Sequence, residues 1–138
     1  MEKREVAVVI FYDKEHRVLL QDRTGYKGQM EEHWGFFGGG IEKAESPEQA
    51  LMREIREELG FNLKKYEFLG VFSGKSKNLE TTRYAFTAKL ENIKNFKQME
   101  GRGMKLFTIQ QAQKLTFGRP WYKEVLAALK KKLKARKK

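Results

Sequence analysis

The sequence predicts an α/β fold, a mixed sheet with helices on both faces that amounts to an α/β/α sandwich. Three observations predict it. Apolar runs of strand length recur along the chain, at 6–12, 17–22, 66–72 and 82–90. Between the second and third of these lies a segment with start and stop residues for a helix at its two ends. After the last run come a second helix-start pattern at Thr108 and an apolar stripe of helical spacing from Trp121 to Leu133.

In chain order, Val6 to Tyr12 is an unbroken apolar run and predicts a strand buried on both faces. Asp13-Lys14-Glu15-His16 predicts a turn, with His16 solvated, and Arg17 to Asp22 predicts the returning strand. Arg23 to Glu32 is polar with two glycines and reads as a loop, in which Arg23, Tyr26 and Lys27 could offer charge and a stacking ring to a substrate. His33 to Phe37 predicts a short strand leading into Gly38-Gly39-Gly40, where the backbone can approach another group closely. Tyr66 to Phe72 and Thr82 to Leu90 predict two further strands joined by a polar loop, Ser73 to Glu80. Tyr84, Phe86, Ala88 and Leu90 alternate onto one face and read as core, with one aromatic a candidate wall for a base pocket. Glu91 to Gly103 is a long polar connection, and Met104 to Thr108 a short strand. Thr108-Ile109-Gln110-Gln111 is a capping box opening a short helix, and Arg119-Pro120-Trp121 starts the last helix. Its buried stripe is Trp121, Val125, Leu126, Leu129 and Leu133, beyond which the chain is expected to fray.

The central helix is predicted from Pro47 to Leu59. Ser46 can cap it, Pro47 suits its first position, Gln49 completes a capping box, and Gly60 suits the left-handed residue past its end. Leu51, Met52, Ile55 and Leu59 share an apolar arc. Glu54, Glu57 and Glu58 share the neighbouring arc, at i, i+3 and i+4. Two of these carboxylates sit in the last turn, where the helix dipole disfavours anions by roughly 0.3–1 kcal/mol each. A solvated acidic face is the plainer reading, but stability alone would put lysines there. Oxygen ligands converging without cysteine or nearby histidine suit a hard cation, Mg²⁺ or Mn²⁺.

From Gly39 to Phe61 the chain resembles the signature of the Nudix hydrolase family: Gly, five residues, Glu, seven residues, then Arg-Glu-aliphatic-x-Glu-Glu-x-Gly and a hydrophobic residue. The matching positions are Gly39, Glu45, Arg53, Glu54, Ile55, Glu57, Glu58, Gly60 and Phe61. Three departures stand out. Phe61 replaces the usual aliphatic residue, Phe37-Gly38-Gly39 stands where Pro-Gly-Gly is frequent, and Ala44 replaces a frequent glycine before Glu45. The resemblance implies a Nudix-type sandwich and hydrolysis of a nucleoside diphosphate linked to another group: a nucleoside triphosphate, a nucleotide sugar or a dinucleoside polyphosphate. It implies Glu54, Glu57 and Glu58 as metal ligands, with the Gly39 carbonyl and a further glutamate in the loop before the 104–108 strand. Glu100 is the choice for that glutamate, and Glu91 its alternative. Glu54 and Glu57 are the catalytic pair, with Glu54 favoured as the base that takes a proton from water. Arg23 is assigned to a substrate phosphate, and Glu45 with Arg53 to bracing the loop against the helix. The isomerase branch of this fold uses a catalytic cysteine, and the chain has none.

Length and composition bound the rest. The 138 residues suit one domain, with 1–129 as its body and 130–138 as a basic tail at the end of the last helix. Without cysteine there is no disulfide framework, no thiolate catalysis and no cysteine-ligated zinc. No apolar run approaches membrane-spanning length, and the charged N-terminus does not read as a secretory signal, so a cytoplasmic protein without membrane contact is expected. Residues 130–138 hold seven positive charges and no negative one, which leaves the other 129 residues at +4 of the total +11. A mildly basic body suits a polyphosphate substrate. The tail leaves two alternatives open: an enzyme acting on RNA 5′ ends, or a non-catalytic scaffold binding RNA through the tail. The resemblance also allows a homodimer.

Overall fold

The computed structural model describes residues 2–23, 34–76, 78–97, 103–115 and 120–136. Its strands are β1 (Glu2–Tyr12), β2 (Val18–Asp22), β3 (Trp34–Gly35), β4 (Phe37–Gly40), β5 (Glu67–Ser76), β6 (Leu79–Lys89) and β7 (Gly103–Phe107). Among the described residues its helices are α1 (Pro47–Leu59), α2 (Ile109–Lys114) and α3 (Pro120–Ala135), with a 3₁₀ turn at Ile93–Asn95.

β1 is the middle of the mixed sheet. It runs parallel to β6 along its whole length, from Glu2 opposite Leu79 to Tyr12 opposite Lys89. On its other edge it pairs antiparallel with β4 through Val6–Val9 and with β2 through Phe11–Tyr12. β2 also pairs with β3 and β7, and β5 pairs with β6. Strand alternation divides the apolar run as expected. Ala7, Val9 and Phe11 enter one core cluster, under α1 with Leu51, Ile55 and Leu59. Val8, Ile10 and Tyr12 enter the other, under α2 and α3 with Ala112, Val125, Leu126 and Leu129. Each fully buried side chain of this size contributes roughly 1.5–3 kcal/mol. Tyr84, Phe86, Ala88 and Leu90 all belong to the α1 cluster.

The caps form as the residue types dictate. The Ser46 hydroxyl accepts from Gln49 N–H, the Gln49 side chain accepts from Ser46 N–H, and Gly60 closes α1 in the left-handed region at φ 58°. Thr108 and Gln111 make the same reciprocal pair at α2. Phe61, the aromatic departure, stacks edge-on against Phe96 at 4.8 Å, and Phe96 lies 4.9 Å from Phe11. The extra ring volume therefore continues the core past the helix end.

Four expectations change. First, β1 begins at Glu2 rather than Val6. Second, the polar 73–80 stretch is not a loop but largely strand: Ser73, Gly74, Lys75 and Ser76 pair with Thr82, Thr81, Glu80 and Leu79. These two changes have one cause. The polar start of β6 lies between β5 and the polar start of β1, so both its edges find backbone partners without a core beneath it. Third, the 33–37 strand is two strands, and the glycines themselves form β4. A Cβ on Gly38, at φ 136°, would stand 2.1 Å from the Ala7 carbonyl oxygen, so only glycine lets β4 lie this close to β1. Fourth, α3 continues past Leu133 to Ala135. Lys132 Nζ lies 3.4 Å from Glu67, and Arg136 pairs with Glu67 and donates to the Tyr12 hydroxyl, so these cations hold the end of α3 against β5. Among the described residues no helix is long and apolar enough to cross a membrane.

Ala44 stands at φ 71°, in the region where a Cβ is strained, with its side chain exposed. Ala44→Gly relieves the strain and loses no packing. Urea denaturation should show it more stable than the parent by roughly 0.5–1 kcal/mol, after the larger entropy loss of glycine on folding is subtracted.

Candidate functional site

The glycine strand β4 and helix α1 meet along one line, and the signature residues occupy it. Arg53 is the connecting group. Its Nε and Nη2 donate to the two oxygens of Glu45 at 2.8 and 2.9 Å. Nη2 also donates to the Gly40 carbonyl at 3.0 Å, and Nη1 to Glu54 Oε1 at 2.9 Å. The forked guanidinium thus joins the loop, the end of β4 and the helix, which a lysine could not do. Glu45 also accepts from Glu42 N–H at 2.8 Å. The Arg53 fork, and then this backbone bond, hold the Glu45 carboxyl down to about 2.

Glu54 lies against Gly39. A Cβ built there would be 2.5–2.7 Å from the three atoms of the Glu54 carboxyl. The absence of a side chain at position 39 is what admits the carboxylate. Glu57, one turn on, is half exposed, with one oxygen 3.6 Å from Arg53 Nη1. One guanidinium therefore faces Glu45, Glu54 and Glu57, so the surplus charge here is negative.

Glu58 is different. It is 1% exposed, turned inward under β4 and β2. Its Oε1 accepts from Gly38 N–H at 2.8 Å, its Oε2 accepts from Gln21 Nε2 at 2.9 Å, and Arg23 Nη1 lies 3.6 Å away. Burial dominates these partners and pushes its carboxyl up to about 7.

This donor set fits a hard divalent cation. The groups are carboxylate and carbonyl oxygens, the local charge is negative, and the face that carries Glu57 is open to water. Among the described residues no three acidic or imidazole side chains are already drawn into one cage, because Glu58 is turned toward Gln21 and Gly38.

Of the residues expected from sequence, Arg23, Gly39, Glu45, Arg53, Glu54 and Glu58 are brought into one connected group, with Glu57 at its edge. Glu91 is exposed and lines a separate cavity of about 480 Å³ beyond the C-terminus of α1. Glu100, Tyr26 and Lys27 lie outside the described residues. Two residues escaped the sequence reading. Gln21 is 2% exposed and links the Phe36 carbonyl to Glu58; its signal was an amide inside an apolar strand. Tyr122 was missed because it follows Trp121 in what reads as a core stripe; its hydroxyl would be 2.9 Å from a Cβ on Gly35, beside the Arg23 side chain.

Known proteins resemble this chain in sequence and in fold. A family model described as the NUDIX domain matches residues 1–129. The human diphosphoinositol polyphosphate phosphohydrolase 2 is 31% identical over 131 residues, covering 93% of this chain and 70% of that protein. An 8-oxo-dGTP diphosphatase of Proteus vulgaris is 39% identical over 61 residues, 44% of this chain, and the match spans about half of that relative, 54%. Among solved structures, the E. coli ORF135 protein superposes with a TM-score of 0.79 at 24% identity, covering 99% of this chain and 94% of that one.

The raised Glu58 carboxyl has a measurable consequence. Its folded value, about 7, exceeds the unfolded 4.5, so the folded state holds this proton more tightly. The resulting stability is fully present below 4.5 and is lost as pH rises through 7. In the metal-free protein, urea denaturation should show about 2 kcal/mol of this contribution lost between pH 5.5 and 8. The loss should be absent from the stability–pH profile of Glu58→Gln.

Proposed function

This chain belongs to the Nudix family, and on that premise we propose that it is a pyrophosphohydrolase of nucleoside diphosphate derivatives that uses Mg²⁺, with Mn²⁺ as substitute. The observation that carries the reading is the seating of the Glu54 carboxylate on the bare Cα of Gly39, held there by Arg53 beside the open Glu57. Dependence on a divalent metal is general in the family. The cation would be held by Glu54, Glu57, Glu58 and the Gly39 carbonyl, with Glu100, and when bound it neutralises the diphosphate and makes nearby water more acidic.

The chain's own residues supply the rest. Arg53 holds one oxygen of Glu54, the carboxylate assigned to accept the proton of the attacking water. As that water oxygen bonds to phosphorus, the anhydride P–O bond breaks and the leaving phosphate departs with the electron pair. Arg23, anchored beside Glu58, holds a phosphate oxygen. Gln21 and Gly38 hold Glu58 in place, so that the loop and α1 cannot drift apart. The phosphate-directed groups support a phosphoanhydride substrate, as do relatives named as a diphosphatase and a phosphohydrolase, and the nucleoside portion is part of the proposal.

The test is release of phosphate or pyrophosphate from nucleoside triphosphates, nucleotide sugars and dinucleoside polyphosphates, with Mg²⁺ or Mn²⁺ and with chelator. Turnover should need the metal. Glu54→Gln and Glu57→Gln should each lower kcat by about 10²-fold or more, with melting temperatures close to the parent's. Normal turnover in both variants would sink the assignment. Gly39→Ala, which displaces the Glu54 carboxylate, should also lower kcat by about 10²-fold through misplacement alone.

A further inference from the structure

Arg83 lies on β6 opposite Val6, on the sheet face that α3 covers. Trp121, at the start of α3, lies against it, with the Arg83 Cζ 4.1 Å from the ring centroid. The Nη1 of Arg83 is fully enclosed and has no hydrogen-bond partner among the described residues. Its surroundings work against its charge: burial and the nearby Arg4 disfavour the cation, and only Tyr122 offsets them. Among the described residues neither Arg4 nor Arg83 is in an ion pair. A buried cationic donor without an acceptor is costly, and natural cores rarely retain one without a use.

Its position suggests the use. From Glu58, Arg23 runs past Gly35 to the Tyr122 hydroxyl. Tyr122 stacks on Trp121 at 4.0 Å, and Trp121 carries Arg83. From Arg83 the row continues to Arg4, whose guanidinium lies 4.0 Å from where a Cβ on Gly40 would be. The Gly40 carbonyl accepts from Arg53. The row leaves the carboxylate face at Glu58 and returns to it at Gly40. Arg83 therefore stands in a row of side chains that begins and ends at the carboxylate face.

We propose that Arg83, mounted on Trp121, is a specificity-determining residue that selects nucleotides whose base presents two adjacent acceptors, guanine through O6 and N7 or cytosine through O2 and N3. The proposal rests on the pyrophosphohydrolase reading above. A guanidinium fork offers only donors, so it matches a pair of neighbouring acceptors. Adenine sets its N6 amino donor beside N7 and N1, and uracil sets its N3 donor between two carbonyls. Either would leave a donor facing a donor, and a site built on buried donors rejects such a partner strongly.

The experiment measures kcat/KM for GTP, ITP, CTP, ATP and UTP with the wild-type protein, Arg83→Gln and Arg83→Ala. Wild type should favour GTP or CTP over ATP and UTP by about 5- to 150-fold, and ITP, which keeps O6 and N7, should follow GTP. Arg83→Gln, whose amide pairs one donor with one acceptor, should lose that advantage while turnover of ATP stays within about threefold. Equal turnover of all bases by wild type, or an equal loss on all of them in both variants, would overturn the proposal and leave the hydrolase reading standing. Absence of turnover by wild type with these triphosphates and also with nucleotide sugars and dinucleoside polyphosphates would instead remove that reading and the proposal with it. Titration of GMP, CMP, AMP and UMP against wild-type tryptophan fluorescence gives an independent check should the variants not fold. Tighter binding of GMP or CMP is expected, and equal affinities would overturn the proposal.

Discussion

The site depends on one guanidinium. Arg53 is the group through which the glycine strand, the loop after it and α1 are held at fixed separation, by bonds to Gly40, Glu45 and Glu54. An exposed ion pair contributes little to stability. This cation is only partly exposed, and its four hydrogen bonds go to three separate chain segments, so its main effect is on geometry rather than on net stability. The positions of Glu54 on Gly39 and of Glu57 on the open face both follow from it.

A second constraint comes from inside. β1 fills both cores at once, and its antiparallel partner β4 must come close enough for Gly38 to lie over Ala7. That approach turns the Gly38 N–H toward α1, where Glu58 accepts it together with the Gln21 amide. A carboxyl in this position is unfavourable when charged, and burial outweighs its hydrogen bonds. The fold accepts that cost, along with two anions in the last turn of a helix. Both are local conflicts of the kind that collect where a protein works rather than where it is merely stable.

The two sheet faces divide the labour. The α1 face carries the carboxylates and the bracing Arg53. The α3 face carries Trp121, Tyr122 and Arg83, so that on the proposed reading the chemistry and the recognition of the base are built on different layers. β1 and β4 connect the two faces, with Gly39 and Gly40 in the strand that pairs with β1.

The sequence by itself determined the elements whose signals are local. Ser46, Gln49 and Gly60 bounded α1, Thr108 and Gln111 opened α2, and the unbroken 6–12 run declared a strand buried on both faces, because caps and periodicity depend on neighbours a few residues away. The spacing from Gly39 to Phe61 named the carboxylates on the same grounds. Tertiary structure alone decided what depends on distant partners. The polar starts of β1 and β6 became strand because each supplies the other's backbone partners, and polarity carries no record of that pairing. Glu57 and Glu58 are adjacent in sequence, yet one is half exposed and the other buried, since only the fold brings Gln21 and Gly38 onto the second. Arg83 looked like an ordinary strand residue until α3 laid Trp121 over it. Burial and desolvation are properties of the whole chain's packing, and they set the chemistry of each charged group more strongly than its position in the sequence.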